Sequence, residues 1–360
     1  MPKLPKFRVI RETEGMPMIV PVVARGLIAV VTLCCACLLQ ASAQTASDFY
    51  KGKTLRIIVG SSTGGGFSMY SMLLSSHYGK FIPGNPAIVV EHMPGAGGIN
   101  SINFLANAAP QDGTVIAVAM PNFFVTPFVE PKEAMFDPAQ FSFVGRISDF
   151  GRVLAAWHTS EVRTIEDLKN KESILAAGGR RSTTSIQPMM INEMLGAKMK
   201  IIQGYAGSGP TAIALERGEV QVTTIAWSTL QSLHKEWMRS GKINVIAGLD
   251  FSVVPIPGVP RIRDLIRDAN QLALWDFVAL PSEFGTAFLA SPKVAKDRLQ
   301  VLRDAFDATL ASPDFLADAA KRGLDVNPQK GAELNELFVK SGKPTPEMVE
   351  KLSYIMGVKQ

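Results

Sequence analysis

The chain has 360 residues, a formal net charge of +5, 47% hydrophobic and only 19% charged residues. That length and apolar content supply a full core and exclude an intrinsically disordered chain. The basic balance points to nucleic acid or an anionic membrane surface, and the three cysteines to a disulfide or a metal site.

The placement of these residues removes both pointers. Arg25 precedes Gly26–Leu39, a run of small and apolar residues interrupted only by Thr32, and Ala41-Ser42-Ala43 follows. A charged start, an apolar middle and a small-x-small end make a secretory signal peptide over residues 1–43. The run of 14 residues is too short for a bilayer, which needs roughly 20. A lipid anchor at Cys37 is the weaker reading, because Cys34 stands where such a signal usually has leucine. The leader before Arg25 is long, and a start at Met16 or Met18 shortens it. Removal of 1–43 takes five basic residues against Glu12 and Glu14, and takes Cys34, Cys35 and Cys37. What remains, residues 44–360, is near neutral and free of thiols. Nucleic acid is therefore not expected as a partner, and no disulfide is needed by a core of this size.

In chain order, Leu55–Gly60 reads as a strand running into a Gly/Ser/Thr loop. A helix over Met69–Phe81 follows, with Met69, Met72, Leu73 and Phe81 on one face. Ala87–His92 is a second strand, Ile99–Ala108 a helix and Thr114–Met120 a third strand. Such alternation predicts an α/β fold with a mainly parallel sheet covered on both faces. Phe143–Ala156 reads as one long strand that leaves this first lobe. The alternation restarts with a short helix Ile165–Lys169 capped by Thr164. Strands are expected at Ser173–Ala177, Lys200–Gln203, Gln221–Ile225 and Ile243–Ala247, with helices at Ile186–Leu195, Pro210–Arg217 and Leu230–Arg239. Ser252–Pro260 is a proline-rich linker, and Leu272–Leu280 an apolar segment. Ser291-Pro292, Ser312-Pro313 and Thr345-Pro346 each place a capping hydroxyl before proline, predicting helices near 292–310, 313–322 and 346–355, with another near 331–340. Lobe 1 is expected to comprise 44–151 plus 251–360, and lobe 2 to comprise 152–250.

Four glycine- or serine-rich loops follow strands: Ser61–Gly66, Pro94–Gly98, Gly178–Ser182 and Tyr205–Gly209. Free amides at a helix start favour an anion, and ligands of open α/β sheets sit at the carboxyl ends of strands. Four such loops facing one cleft predict a site for a small anion. Gly60-Ser61-Ser62-Thr63-Gly64 also matches the nucleophile elbow of α/β hydrolases. That makes a secreted hydrolase using Ser62 the alternative reading, although the last histidine, His234, is badly placed for it. There is no G-K-[ST] for a nucleotide phosphate. His77, His92, His158 and His234 are too scattered for a metal, so no cofactor is expected. Arg180 and Arg181 can each grip a carboxylate bidentately. Phe67, Phe123, Phe124 and Trp227 either line an apolar pocket or pack the core.

Several segments occur in a telling order and spacing. They are Phe49-Tyr50-Lys51-Gly52-Lys53-Thr54, the first glycine loop, Pro83-Gly84-Asn85-Pro86, Met93-Pro94-Gly95-Ala96-Gly97-Gly98 and Ala109-Pro110-Gln111-Asp112-Gly113-Thr114. Together they resemble the extracytoplasmic solute-binding receptors of tripartite tricarboxylate transporters, the Bug or TctC-like family. The resemblance extends through Ala156–Ser160 and Tyr205–Val220, is strongest over 49–120 and fades after about 320. It implies a two-lobed periplasmic-binding-protein fold of the type II class. It further implies a non-enzymatic, periplasmic and monomeric receptor that delivers a small organic carboxylate, aromatic or dicarboxylate, to membrane permease subunits by symport. A ligand-binding sensor or adaptor for a signalling partner is a second alternative. The contacts expected are Ser62, Thr63, Gly65, Gly66, Phe67 and Ser68; Gly95, Ala96 and Gly97; Gly179, Arg180 and Ser182; Tyr205, Ser208 and Trp227. The crossing segments near Arg152 and Asp250 are the expected hinges. Ser68 replaces an aspartate common in the family, which argues against amino-acid-like ligands.

Overall fold

The apolar runs become strands, and the central ones, Val115–Val118 and Val222–Ala226, are buried on both faces, as parallel sheets favour. The computed structural model describes residues 46–205, 207–232, 234–250 and 256–358. The leader 1–43 with Cys37 and the start of the proline-rich stretch 252–260 lie outside the described residues. The chain first builds β1 (Thr54–Val59), β2 (Ala87–His92), β3 (Val115–Val118) and β4 (Ser142–Arg146). It then crosses to β5 (Arg152–Trp157), β6 (Ser173–Ala176), β7 (Met199–Ile202), β8 (Val222–Ala226) and β9 (Ile243–Gly248). β10 (Ala287–Ala290) and β11 (Gln329–Lys330) return to the first sheet.

The first sheet has the order β11-β4-β10-β3-β1-β2 and the second β7-β6-β8-β5-β9. Both repeat one plan. Three parallel strands, β2-β1-β3 or β7-β6-β8, adjoin an antiparallel strand that is the first one made after a crossing, β10 or β5. The longer helices are α1 (Gly66–Tyr78), α2 (Ile99–Asn107), α3 (Thr183–Leu195), α4 (Ser208–Glu216), α5 (Ala269–Ala279), α6 (Lys296–Ala311), α7 (Pro313–Lys321), α8 (Gly331–Ser341) and α9 (Pro346–Met356). One buried cluster joins Leu55, Tyr70, Leu74, Phe288, Phe306 and Phe315 behind the first sheet. A second joins Val153, Leu215, Leu230 and Trp237 behind the other. The largest is continuous across both sheets, from Ile58 and Phe123 to Leu154, Leu175, Ile186 and Met356.

Several segments of the family resemblance are structural. Lys53 Nζ and the Arg298 guanidinium lie 3.5 and 3.8 Å from the centre of the Phe49 ring, a favourable cation–π pairing. Tyr50 donates a 3.2 Å hydrogen bond to the Gly113 carbonyl. Gly84, at φ +88°, lies so close that a Cβ would meet the Lys51 nitrogen at 2.6 Å. These segments lock the chain start onto the first sheet.

Four expectations need correction. Phe143–Ala156 is not one strand: β4 ends at Arg146, residues 147–151 cross over, and β5 starts at Arg152. Both flanks are apolar because both are buried, which hid the break. α1 ends at Tyr78, and its buried face is Tyr70, Leu73, Leu74 and Tyr78, with Met72 (47%) and Phe81 (37%) exposed. The segment Leu230–Arg239 is two short helices, Trp227–Ser232 and Lys235–Arg239. Finally, Ser291-Pro292 makes a turn, Val294 N–H donating to the Ser291 carbonyl, and α6 starts later at Lys296. Thr164, Ser312 and Thr345 cap their helices through side-chain bonds to backbone amides.

Candidate ligand-binding site

Three strand ends of the first sheet meet at one junction: the loops after β1 and β2 and the turn after β3. A Cβ at Gly60 would lie 2.8 Å from the Gly98 Cα, 2.7 Å from the Met120 side chain and 2.6 Å from the Ser101 hydroxyl. Only glycine permits that approach. Gly95, Ala96, Gly97 and Gly98 all have positive φ, including Ala96 at 47°. A non-glycine residue there carries backbone strain of about 1 kcal/mol or more. α1 starts directly from the first loop, at Gly65, with no side-chain cap. Its first amides therefore have no intrahelical partner and sit at the positive end of the helix dipole.

Phe67 stacks on Phe150 of the crossing segment, 5.0 Å between ring centres, and Phe150 also packs 3.2 Å from where a Gly66 Cβ would be. The first loop is thus held against the crossing. Next to it lies a cavity of about 380 Å³ lined by Asp149, Gly151, Trp227, Ile256, Asp325 and Asn327. Asn327 Nδ2 donates to Asp149 at 2.8 Å and Tyr70 OH to the Asp325 carbonyl at 2.8 Å. The two carboxylates make this space suited to the neutral or hydroxylated end of a ligand, not to its acid group.

The other expected residues are placed as follows. Thr63 is exposed and Ser62 half-buried in the first loop. The Ser68 hydroxyl is buried and 2.8 Å from His92 Nε2. Ser68, inside α1, is a serine that reaches a histidine. Glu91, next to His92, is taken by a bidentate bond from Arg56. In the second lobe's loops, Gly179 is exposed and Ser182 meets the Thr184 hydroxyl at 2.7 Å. The Tyr205 amide donates to the Ala177 carbonyl, and Ser208 opens α4 from an uncapped Gly207. Trp227 lines the cavity. Phe123 and Phe124 are core residues.

Both arginines are already engaged. Arg180 donates to the carbonyls of Met356, at 2.6 Å, and Gly357, at the end of α9. Arg181 forms a bidentate pair with Glu130 and lies 3.7 Å from Glu133. Direct grip on a ligand by either one needs these contacts broken. Of the histidines, His77 meets Asp318 at 3.1 Å and His234 stacks on Trp237, while His158 is exposed. The Asp318 carboxyl is held down to about 2 by Arg322 and then His77.

Sequence reasoning did not reveal the buried polar group where the two crossings meet. Arg152 and Asp250 form an ion pair at 2.8 Å with side chains 3% and 0% exposed, and Gln187 Nε2 adds a 2.7 Å bond to Asp250. Arg152 also donates to the Thr183 hydroxyl at the start of α3. Glu283 stands nearby, its carboxyl pushed up by burial against the pull of Arg146. The only signal was the position of Arg152 and Asp250 at the predicted hinges.

Comparison with known proteins identifies the family and the fold. The family model described as the tripartite tricarboxylate transporter family receptor matches residues 83–353. A Cupriavidus necator protein, the UPF0065 protein in the gbd 5′ region, is 23% identical over 322 residues, 86% of this chain and 90% of its own. The periplasmic binding protein BugD superposes with a TM-score of 0.65 at 20% identity, covering 86% of this chain and 99% of its own. MatC from Rhodopseudomonas palustris, solved with bound malate, gives 0.61 at 18%, covering 85% and 99%. The two structural likenesses establish the two-lobed periplasmic-binding-protein fold. Among the described residues no helix is long and apolar enough to cross a membrane. By its family model, its fold and the order of its loops, the chain belongs to the tripartite tricarboxylate transporter receptor family, the TctC or Bug group of solute-binding proteins.

Proposed function

We propose that this protein is a periplasmic receptor that captures a small organic carboxylate and delivers it to a membrane permease. Lobe 1 comprises 44–151 and 251–360, lobe 2 comprises 152–250, and residues 1–43 are an export signal. The observation that carries the reading is the junction at β1, β2 and β3, where an uncapped helix start and a left-handed Gly95–Gly98 run crowd together. A carboxylate there accepts from the loop amides of Thr63, Gly65, Gly66, Ala96 and Gly97, in charge-assisted bonds stronger than neutral ones. Phe67 and Trp227 flank its carbon chain. Malate in MatC supports the ligand class.

Thermal denaturation with a panel of malate, succinate, adipate and benzoate tests it. At a hundredfold excess over Kd, binding to the folded state adds about 2.7 kcal/mol, which raises Tm by roughly 5 °C or more. Unshifted melting across the panel contradicts the reading.

A further inference from the structure

Asn122 is 1% exposed, and its Nδ2 is sealed from solvent with no hydrogen-bond partner. It sits in the turn Pro121–Phe124 at the carboxyl end of β3. That nitrogen occupies the place where a Cβ on Gly97 would be, so the amide faces directly onto the second loop. Ser61, immediately after Gly60 at the end of β1, has a second sealed and unpaired group, its hydroxyl oxygen. The Gly60–Gly98–Met120 packing brings these neighbours to the same junction. A buried donor left unmade costs about 1–3 kcal/mol, and such a group in a native protein calls for an explanation. Two of them beside an amide-rich loop point to an acceptor that arrives from outside the chain.

We infer that Asn122 and Ser61 are ligand contacts, donating to the carboxylate oxygens held at the first and second loops. This rests on the receptor reading above and adds side-chain donors to it. The Asn122 Nδ2 only donates, so the junction selects a deprotonated acid over an amine. Gly97 is required because any side chain there would displace the Asn122 amide.

The test is Asn122→Leu, which keeps the shape of the residue and removes the amide, read by two measurements on residues 44–360. One is the malate and succinate Kd by calorimetry, the other Tm of the unliganded protein. A ligand contact predicts affinity weakened at least tenfold with unliganded Tm unchanged or raised, because an unpaired donor has been deleted. Ser61→Ala, a smaller change in a half-buried loop residue, reads the same junction should the leucine variant not fold; it is expected to weaken binding several-fold. Wild-type affinity in either folded variant overturns the contact assigned to that residue. If the wild-type protein itself binds neither acid nor any other carboxylate tested, the receptor reading falls and this inference with it. If the wild type binds and both variants bind equally well, only the inference falls.

Discussion

Arg180 and Glu283 show how much of a site is decided by contacts far apart in sequence. Arg180 lies in a glycine-rich loop after a strand, the setting of a carboxylate clamp, yet its guanidinium ends on carbonyls 176 and 177 residues away. Nothing near Arg180 in the chain announces that destination. Arg180→Ala is therefore expected to lower stability by about 1 kcal/mol and to leave carboxylate affinity within twofold, as denaturant titration and calorimetry will read. A large affinity loss at unchanged stability would return Arg180 to the ligand. Glu283 is a second case: its Oε1 is buried without a partner, and burial, reinforced by Asp149 and Asp250, raises its carboxyl against the pull of Arg146. A raised folded pKa means the contribution is present below the unfolded value and is lost as pH rises through the folded one. Glu283→Gln should thus stabilise the protein by about 1 kcal/mol at pH 7, with the gain disappearing near pH 4 in paired melting curves. The glycines were legible because a strand end followed by glycine has few other uses. Asn122 was not legible, because an asparagine between apolar residues gives no hint that its amide is left unpaired.

Among the elements, the inner parallel strands were readable as apolar runs because both of their faces are covered. Residues 143–156 misled for the same reason: β4 and β5 are each buried, and the five residues that cross between them include no proline. Capping hydroxyls located α7 and α9 to within a residue of the start, since the side-chain bond forms whatever the tertiary setting. Ser291-Pro292 lacked that outcome because the Ser291 hydroxyl turns toward the Pro110 carbonyl. α9 is an integral part of the body. Leu352 and Met356 share the central buried cluster with Ile186 and Met190 of α3, Lys351 pairs with Glu193, and Arg180 closes its carboxyl end. Leu352→Ala is expected to cost about 2–5 kcal/mol in chemical denaturation. A loss below 1 kcal/mol would mean α9 is peripheral.

At the level of the whole molecule, two sheets of one plan are joined by two crossings, and the crossings are tied by the Arg152–Asp250 pair. Removing one partner of a buried pair costs about 3–5 kcal/mol, so this tie holds the two crossings together. The largest apolar cluster is continuous across both sheets, and the cavity beside Trp227 opens next to the first crossing. Of the net charge of +5, +3 lies in residues 1–43, together with all three cysteines. The two-lobed plan followed from the restarted alternation of strands and helices, whereas the approach of the loops after β1, β2 and β3 shows only in the folded chain. The most direct measurement is titration calorimetry of residues 44–360, freed of co-purified ligand by unfolding and refolding, with malate, succinate, adipate and benzoate. Saturable binding of at least one acid at one site per chain is the predicted result; no heat of binding from any of the four, with the protein folded, would contradict the account.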